Sequence, residues 1–180
     1  AVLSDSGYSY IDEDGDSQTT GELVVTPITA DTSELATGWY VVSSDVACKG
    51  TITVNGSVNL ILADGCTLSV TGSNSKAGIG VSNGNSLTIY GQKAGTGTLV
   101  SQGGQYGAGI GGTLWELGGA TSINGGTIRA TGGQYGAGIG GGYNANAGTT
   151  TISGGTVTAT GGQNSAGIGG SYHYVFGAEF

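Results

Sequence analysis

The sequence is short of charge, proline, histidine and cysteine, and it has no methionine. Lysine and arginine number 4 against 12 aspartates and glutamates, a formal net charge of −8. Nucleic-acid-binding surfaces concentrate Lys and Arg to neutralise phosphates. The four cations here, Lys49, Lys76, Lys93 and Arg129, exclude such a surface, so no nucleic acid partner is expected. No apolar run approaches the ~20 residues that cross a bilayer, and no membrane insertion is expected. No signal peptide is visible, so one was either removed or never present. The two cysteines, Cys48 and Cys66, lack a C-x-x-C spacing that would suggest metal or redox chemistry. They form one disulfide or sit as two small buried residues. The lack of acids also bears on catalysis. Hydrolysis of a glycosidic bond needs two carboxyls roughly 5–9.5 Å apart, and a lyase needs a base with groups that neutralise a uronate. Between Asp64 and Glu179 there is one acid, Glu116, with one arginine, Arg129; His173 is the only histidine. The expectation is that the chain is not an enzyme, with a polysaccharide lyase or hydrolase as the catalytic alternative.

What the sequence does contain is glycine, 40 residues of it, with 37% apolar residues and many Thr, Val and Ile. That composition favours a folded chain made mostly of strand. The tetrapeptide Ala-Gly-Ile-Gly begins at Ala77, Ala108, Ala137 and Ala166, at spacings of 31, 29 and 29 residues. Two further short strands share the period, and Gly-Gly or Asn-Gly breaks separate them, as at Asn124-Gly125-Gly126 and Gly161-Gly162. Three strands with three corners make a triangular coil, and stacked coils bury the apolar face that one coil cannot bury alone. The expected fold is all-β: a short right-handed parallel β-helix, or solenoid, of about four to five triangular coils with an N-terminal strand-bearing extension. Three inward ladders are expected: Ile61/Ile89/Ile123/Ile152, Leu68/Leu99/Ile128/Val157, and Ile79/Ile110/Ile139/Ile168.

The expected organisation is an acidic extension or cap over residues 1–38, the solenoid over 39–171 and a tail over 172–180. The extension holds eight of the twelve acids and the only proline, Pro27. At the other end, either Tyr172, Tyr174, Val175, Phe176 and Phe180 form a small cap or another molecule covers the last coil. An open coil edge invites strand addition, and the strand-forming stretch from Glu22 to Thr29 would serve a neighbouring copy. One corner varies in length between coils: Ser82–Asn85, Thr113–Leu117 and Tyr143–Asn146. Such insertions are where binding residues gather.

Several motifs carry candidate chemistry. Gly107-Ala108-Gly109-Ile110-Gly111-Gly112 matches G-x-G-x-x-G only formally; it recurs at the repeat period with no helix after it, so its glycines read as coil corners rather than a dinucleotide loop. Asp12, Asp14 and Asp16 alternate like the first half of a calcium loop, which makes Ca2+ the one candidate cofactor. The bidentate Glu expected further along is missing, so the alternative is a solvated turn. Tyr106 and Tyr135 lie 29 residues apart in identical Gly-Gly-Gln-Tyr-Gly contexts, and Trp115, Tyr143 and Asn144 lie on the variable corner. Exposed aromatic faces pack on sugar C–H surfaces while Asn and Gln supply hydrogen bonds, so these five residues are the candidate ligand site; the alternative is a ladder that only stabilises the stack. Thr156, Thr158 and Thr160 alternate outward, but Arg129 interrupts the array below them and argues against ice binding.

The stretches Gly38–Val42, Val58–Leu68 and Gly84–Gln92, followed by the Ala-Gly-Ile-Gly-Gly repeats, resemble modules of large secreted or wall-anchored repeat proteins of anaerobic gut bacteria. Such modules are described as adhesin-like or carbohydrate-binding-like. The resemblance implies a non-catalytic structural or adhesion module, secreted or on the cell surface, with a glycan or a host or cell-surface ligand as partner. The alternative is a filament or lattice subunit, a homo-oligomer joined through the solenoid ends.

Overall fold

The computed structural model describes residues 7–173, so Tyr174, Val175, Phe176 and Phe180 lie outside the described residues. The described chain opens with an antiparallel hairpin, β1 (Ser9–Ile11) and β2 (Ser17–Thr19). Next come β3 (Val25–Pro27), β4 (Glu34–Val42), β5 (Val46–Cys48), β6 (Ile52–Leu62) and β7 (Thr67–Thr71). The strands then recur in threes: β8 (Ile79–Gly80), β9 (Ser86–Gly91) and β10 (Thr98–Gln102); β11 (Ile110–Gly111), β12 (Ala120–Ile123) and β13 (Thr127–Thr131); β14 (Ile139–Gly140), β15 (Thr150–Ile152) and β16 (Thr156–Thr160). The last described strand, β17 (Ile168–Gly169), starts a further coil.

Every strand-to-strand pairing outside the hairpin is parallel and joins one coil to the next, with one isolated antiparallel bridge between Ser82 and Gly118, which makes the described chain an all-β parallel β-helix. The first face runs through β3, the second half of β4, the second half of β6, then β9, β12 and β15. The second face is a five-stranded sheet, β5-β7-β10-β13-β16. The third face joins the opening residues of β4 and β6 to β8, β11, β14 and β17. Beyond β6 it is only two residues wide, because Ile-Gly is all that pairs. The solenoid begins earlier than residue 39: Glu34–Ala36 already pairs with Thr53–Asn55, so the expected boundary falls inside β4, beside the register shift between Ala36 and Gly38.

Two of the three expected ladders stand as written, each extended by a residue at its start. Ile52, Ile79, Ile110, Ile139 and Ile168 form one. Val46, Leu68, Leu99, Ile128 and Val157 form another. The remaining ladder needs a correction of one residue: Leu60, not Ile61, pairs with Ile89, which continues to Ile123 and Ile152. Ile61 pairs with Tyr90 and points out of the coil. A one-residue slip moves a side chain to the other face of a strand, and Ile61 is nonetheless fully buried. The hairpin explains this. Tyr8 and Tyr10 pack with Val25, Trp39, Val41, Ile61 and Tyr90 in a second apolar cluster on the outside of the first face. Gln92 Nε2 fastens the hairpin by donating to the Ser9 carbonyl at 3.0 Å.

Residues 7–38 thus do two jobs. Residues 8–19 clip the outer side of the first face. Beyond them, β3 pairs in parallel with β4, and Ile28 enters the main core with its N–H bonded to the Val41 carbonyl. The strand-forming stretch from Glu22 to Thr29 is therefore spent within its own chain. Both cysteines are free thiols. Cys48 is buried, its Sγ donating to the Thr29 carbonyl, and burial followed by the Asp31 charge pushes its thiol up. Among the described residues, no helix is long and apolar enough to cross a membrane.

Candidate functional site: an aromatic edge

The narrow third face decides the geometry here. With two residues per strand, the corner before it and the corner after it lie side by side. Tyr106 and Tyr135 come from the preceding corner, Tyr143 and Tyr172 from the following one. Tyr106 stacks on Tyr135 at 5.6 Å between ring centroids, and Tyr143 stacks on Tyr172 at 5.9 Å. The two columns interlock: Tyr143 meets Tyr106 edge-on at 5.5 Å and Tyr135 at 5.6 Å. Stacked and edge-to-face pairs add about 0.5–1.5 kcal/mol each beyond area burial. Backbone bonds tie the corners together as well, with Tyr143 N–H donating to the Tyr106 carbonyl at 2.8 Å and Trp115 N–H to the Tyr143 carbonyl at 3.1 Å.

Trp115 stands apart from this zipper. It touches Tyr143 edge-on at 5.9 Å and leaves 60% of its surface exposed. Its φ is 65°, in the left-handed region that costs a side chain such as Trp about 1–2 kcal/mol. Asn144 holds the corresponding place one coil on with φ 56°, a conformation Asn adopts readily. Thr113 Oγ1 donates to Glu116 Oε2 at 2.7 Å and steadies the loop. The five sequence candidates therefore gather at one edge. Sequence reasoning missed the place of Tyr172 in it, because nothing in the repeat spacing shows the two corners meeting.

The candidate calcium aspartates Asp12, Asp14 and Asp16 lie in the turn of the hairpin, between β1 and β2. Asp12 accepts from the N–H of Asp14 at 3.1 Å and of Asp16 at 2.8 Å, and from Gln18 Nε2 at 2.8 Å. The Gln18 bond, then the backbone donors, hold its carboxyl below the usual carboxylate value. Among the described residues, no three His, Cys, Asp or Glu side chains gather where they could hold a metal ion. Other acids are likewise engaged: Asp64 accepts from the N–H of Ala94 and Thr96, Asp45 from that of Thr67, Glu34 from Asn55 Nδ2, and Asp31 pairs with Lys49.

A family model described as a beta helix repeat matches residues 122–143 and 151–172. Each match runs from a first-face strand through the second and third faces to the corner carrying Tyr143 or Tyr172. The chain is thus similar to β-helix repeat proteins over those two coils, in keeping with the parallel β-helix seen throughout. Searches of curated proteins and of solved structures return no match.

Proposed function

We propose that this chain is a non-catalytic extracellular module, a rigid structural or adhesion domain of a bacterial surface protein, that binds glycans weakly through its aromatic edge. The observation that carries the reading is Trp115: a large aromatic ring, mostly exposed, at a backbone position suited to Asn or Gly. Strained residues that the fold does not require accumulate at binding sites. The acids of the coils, engaged in hydrogen bonds, support the non-catalytic part.

Trp115→Asn separates the two roles. It is expected to stabilise the fold by about 1 kcal/mol through relief of the backbone while lowering glycan-array signal by tenfold or more. A variant that binds as well as the parent sinks the proposal, as does a parent that binds no glycan.

A second reading, self-association, rests on the last described coil. Ile152 and Ile168 are 45% and 46% exposed, whereas their ladder partners one coil down are fully buried. Because β3 pairs with its own β4, that reading now depends on the C-terminal edge alone. Size-exclusion chromatography with light scattering is expected to show association that rises with concentration and is reduced by Ile168→Asp; a monodisperse monomer at high concentration rejects it.

A further inference from the structure

Outside the aromatic edge, the first face carries a groove that the proposed function does not use. Its floor is the outward side of β9, β12 and β15. One column there runs Thr88, Ser122 and Thr151. The column beside it starts with Val41, Ile61 and Tyr90 under the hairpin and continues past the hairpin's cover with Asn124 and Ser153. The hairpin tip overhangs one end. A cavity of about 410 Å³ is lined by Glu13, Thr88, Tyr90, Ser122, Thr151 and the Asn124–Ser153 pair, and a second of about 460 Å³ shares that pair and continues toward Gly125 and Gly154. Each is in the size range of small-ligand clefts.

Asn124 is the informative residue. Only 5% of its surface is exposed, yet its side chain has no hydrogen-bond partner among the described residues. None of their buried side-chain nitrogens or oxygens is both sealed and unpaired, so the amide meets solvent through the groove that it lines. The Asn124 amide thus has its hydrogen-bonding capacity turned to the groove rather than to the protein. Ser122, Thr151 and Ser153 are likewise without side-chain partners among the described residues. Tyr90 offers a ring at one end, its phenol pushed up by burial and then by Tyr10, Glu13 and Asp12. That neighbourhood is negative and repels anions.

We infer that this groove is a second binding site, for a short uncharged oligosaccharide lying along the solenoid axis, with the Asn124 amide and the hydroxyls of Ser122, Thr151 and Ser153 bonding to its hydroxyls and Tyr90 packing on a ring. The groove is separate from the Trp115 edge, so either site stands without the other.

The test is an NMR titration of the 15N-labelled chain with neutral trisaccharides of glucose, mannose and xylose, a galacturonate trimer and a glucosamine trimer. Shifts at Ser122, Asn124, Thr151 and Ser153 are expected with at least one neutral sugar and to a smaller extent with the galacturonate trimer. Asn124→Ala is expected to weaken binding about tenfold. Thr151→Arg, an exposed change that fills the groove without touching the core, is expected to abolish it with unchanged thermal unfolding. Trp115→Ala should leave the groove shifts intact. No groove shift with any neutral sugar, a stronger response to either charged trimer, or full binding by the Thr151→Arg protein overturns the inference. Loss of the groove shifts in Trp115→Ala also overturns it and leaves the aromatic edge as the single site.

Discussion

Gly133→Ala is expected to lower the unfolding free energy by about 3 kcal/mol or more, near the top of the range for overpacking. A Cβ at Gly133 would sit 1.7 Å from the Gly104 carbonyl oxygen, and one at Gly162 would sit 1.9 Å from that of Gly133. The obstacle is backbone one coil below, held by bonds such as Gly133 N–H to the Gly107 carbonyl. It cannot rotate away as a side chain would, so the corner must open and the ladders above and below must part. The matched control is Gly84→Ala. Gly84 has φ +87° but nothing within 4 Å of its added Cβ, so only the backbone conformation resists, at about 1–2 kcal/mol. Urea titrations of both variants measure the difference. Equal losses would mean that the coils do not approach at this corner as closely as described.

Ile110→Ala is expected to cost 2–5 kcal/mol, the range for deleting a buried branched side chain and leaving a cavity. Ile110 has coils on both sides, pairing with Ile79 and Ile139, and is fully buried. Ile168→Ala removes the same atoms from the same ladder, but among the described residues Ile168 pairs on one side only and is half exposed. Its cost should stay below about 1.5 kcal/mol, since little apolar area leaves water there. Denaturation at two protein concentrations checks both variants. If Ile168→Ala matched Ile110→Ala only at the higher concentration, the last coil would be covered by a second copy. A match at both would contradict the exposed end described above.

The ladders were legible in the sequence wherever the period was unambiguous. Ile110 and Ile139 each occur within Ala-Gly-Ile-Gly, and no neighbouring apolar residue competes for the inward place. Leu60-Ile61-Leu62 offered no such alternation. A run buried on both sides carries no period-2 signal, so register there depended on what covers the outer face. That cover is the hairpin, tied down by Gln92 to Ser9 across 83 residues of chain, a contact outside any repeat. The aromatic edge was half legible. The spacing of Tyr106 and Tyr135 implied their stack, while the crossing by Tyr143 depends on the third face being two residues wide. The groove left a fainter trace: outward residues pass from Trp39 and Ile61 to Ser122 and Asn124 along the axis, and that change marks where the hairpin's cover ends.

The coil-to-coil pairing also bears on how such a chain finds its structure and changes its length. Thr98–Gln102 pairs with Thr127–Thr131, which in turn pairs with Thr156–Thr160, so each new coil closes a loop of the same span however many coils precede it. Loop-closure entropy depends on that span, not on the length of the finished rod. Duplicating a coil in the gene would therefore lengthen the rod while leaving the conformational search per coil unchanged, and the number of coils is free to drift while the hairpin clip on the first face stays fixed.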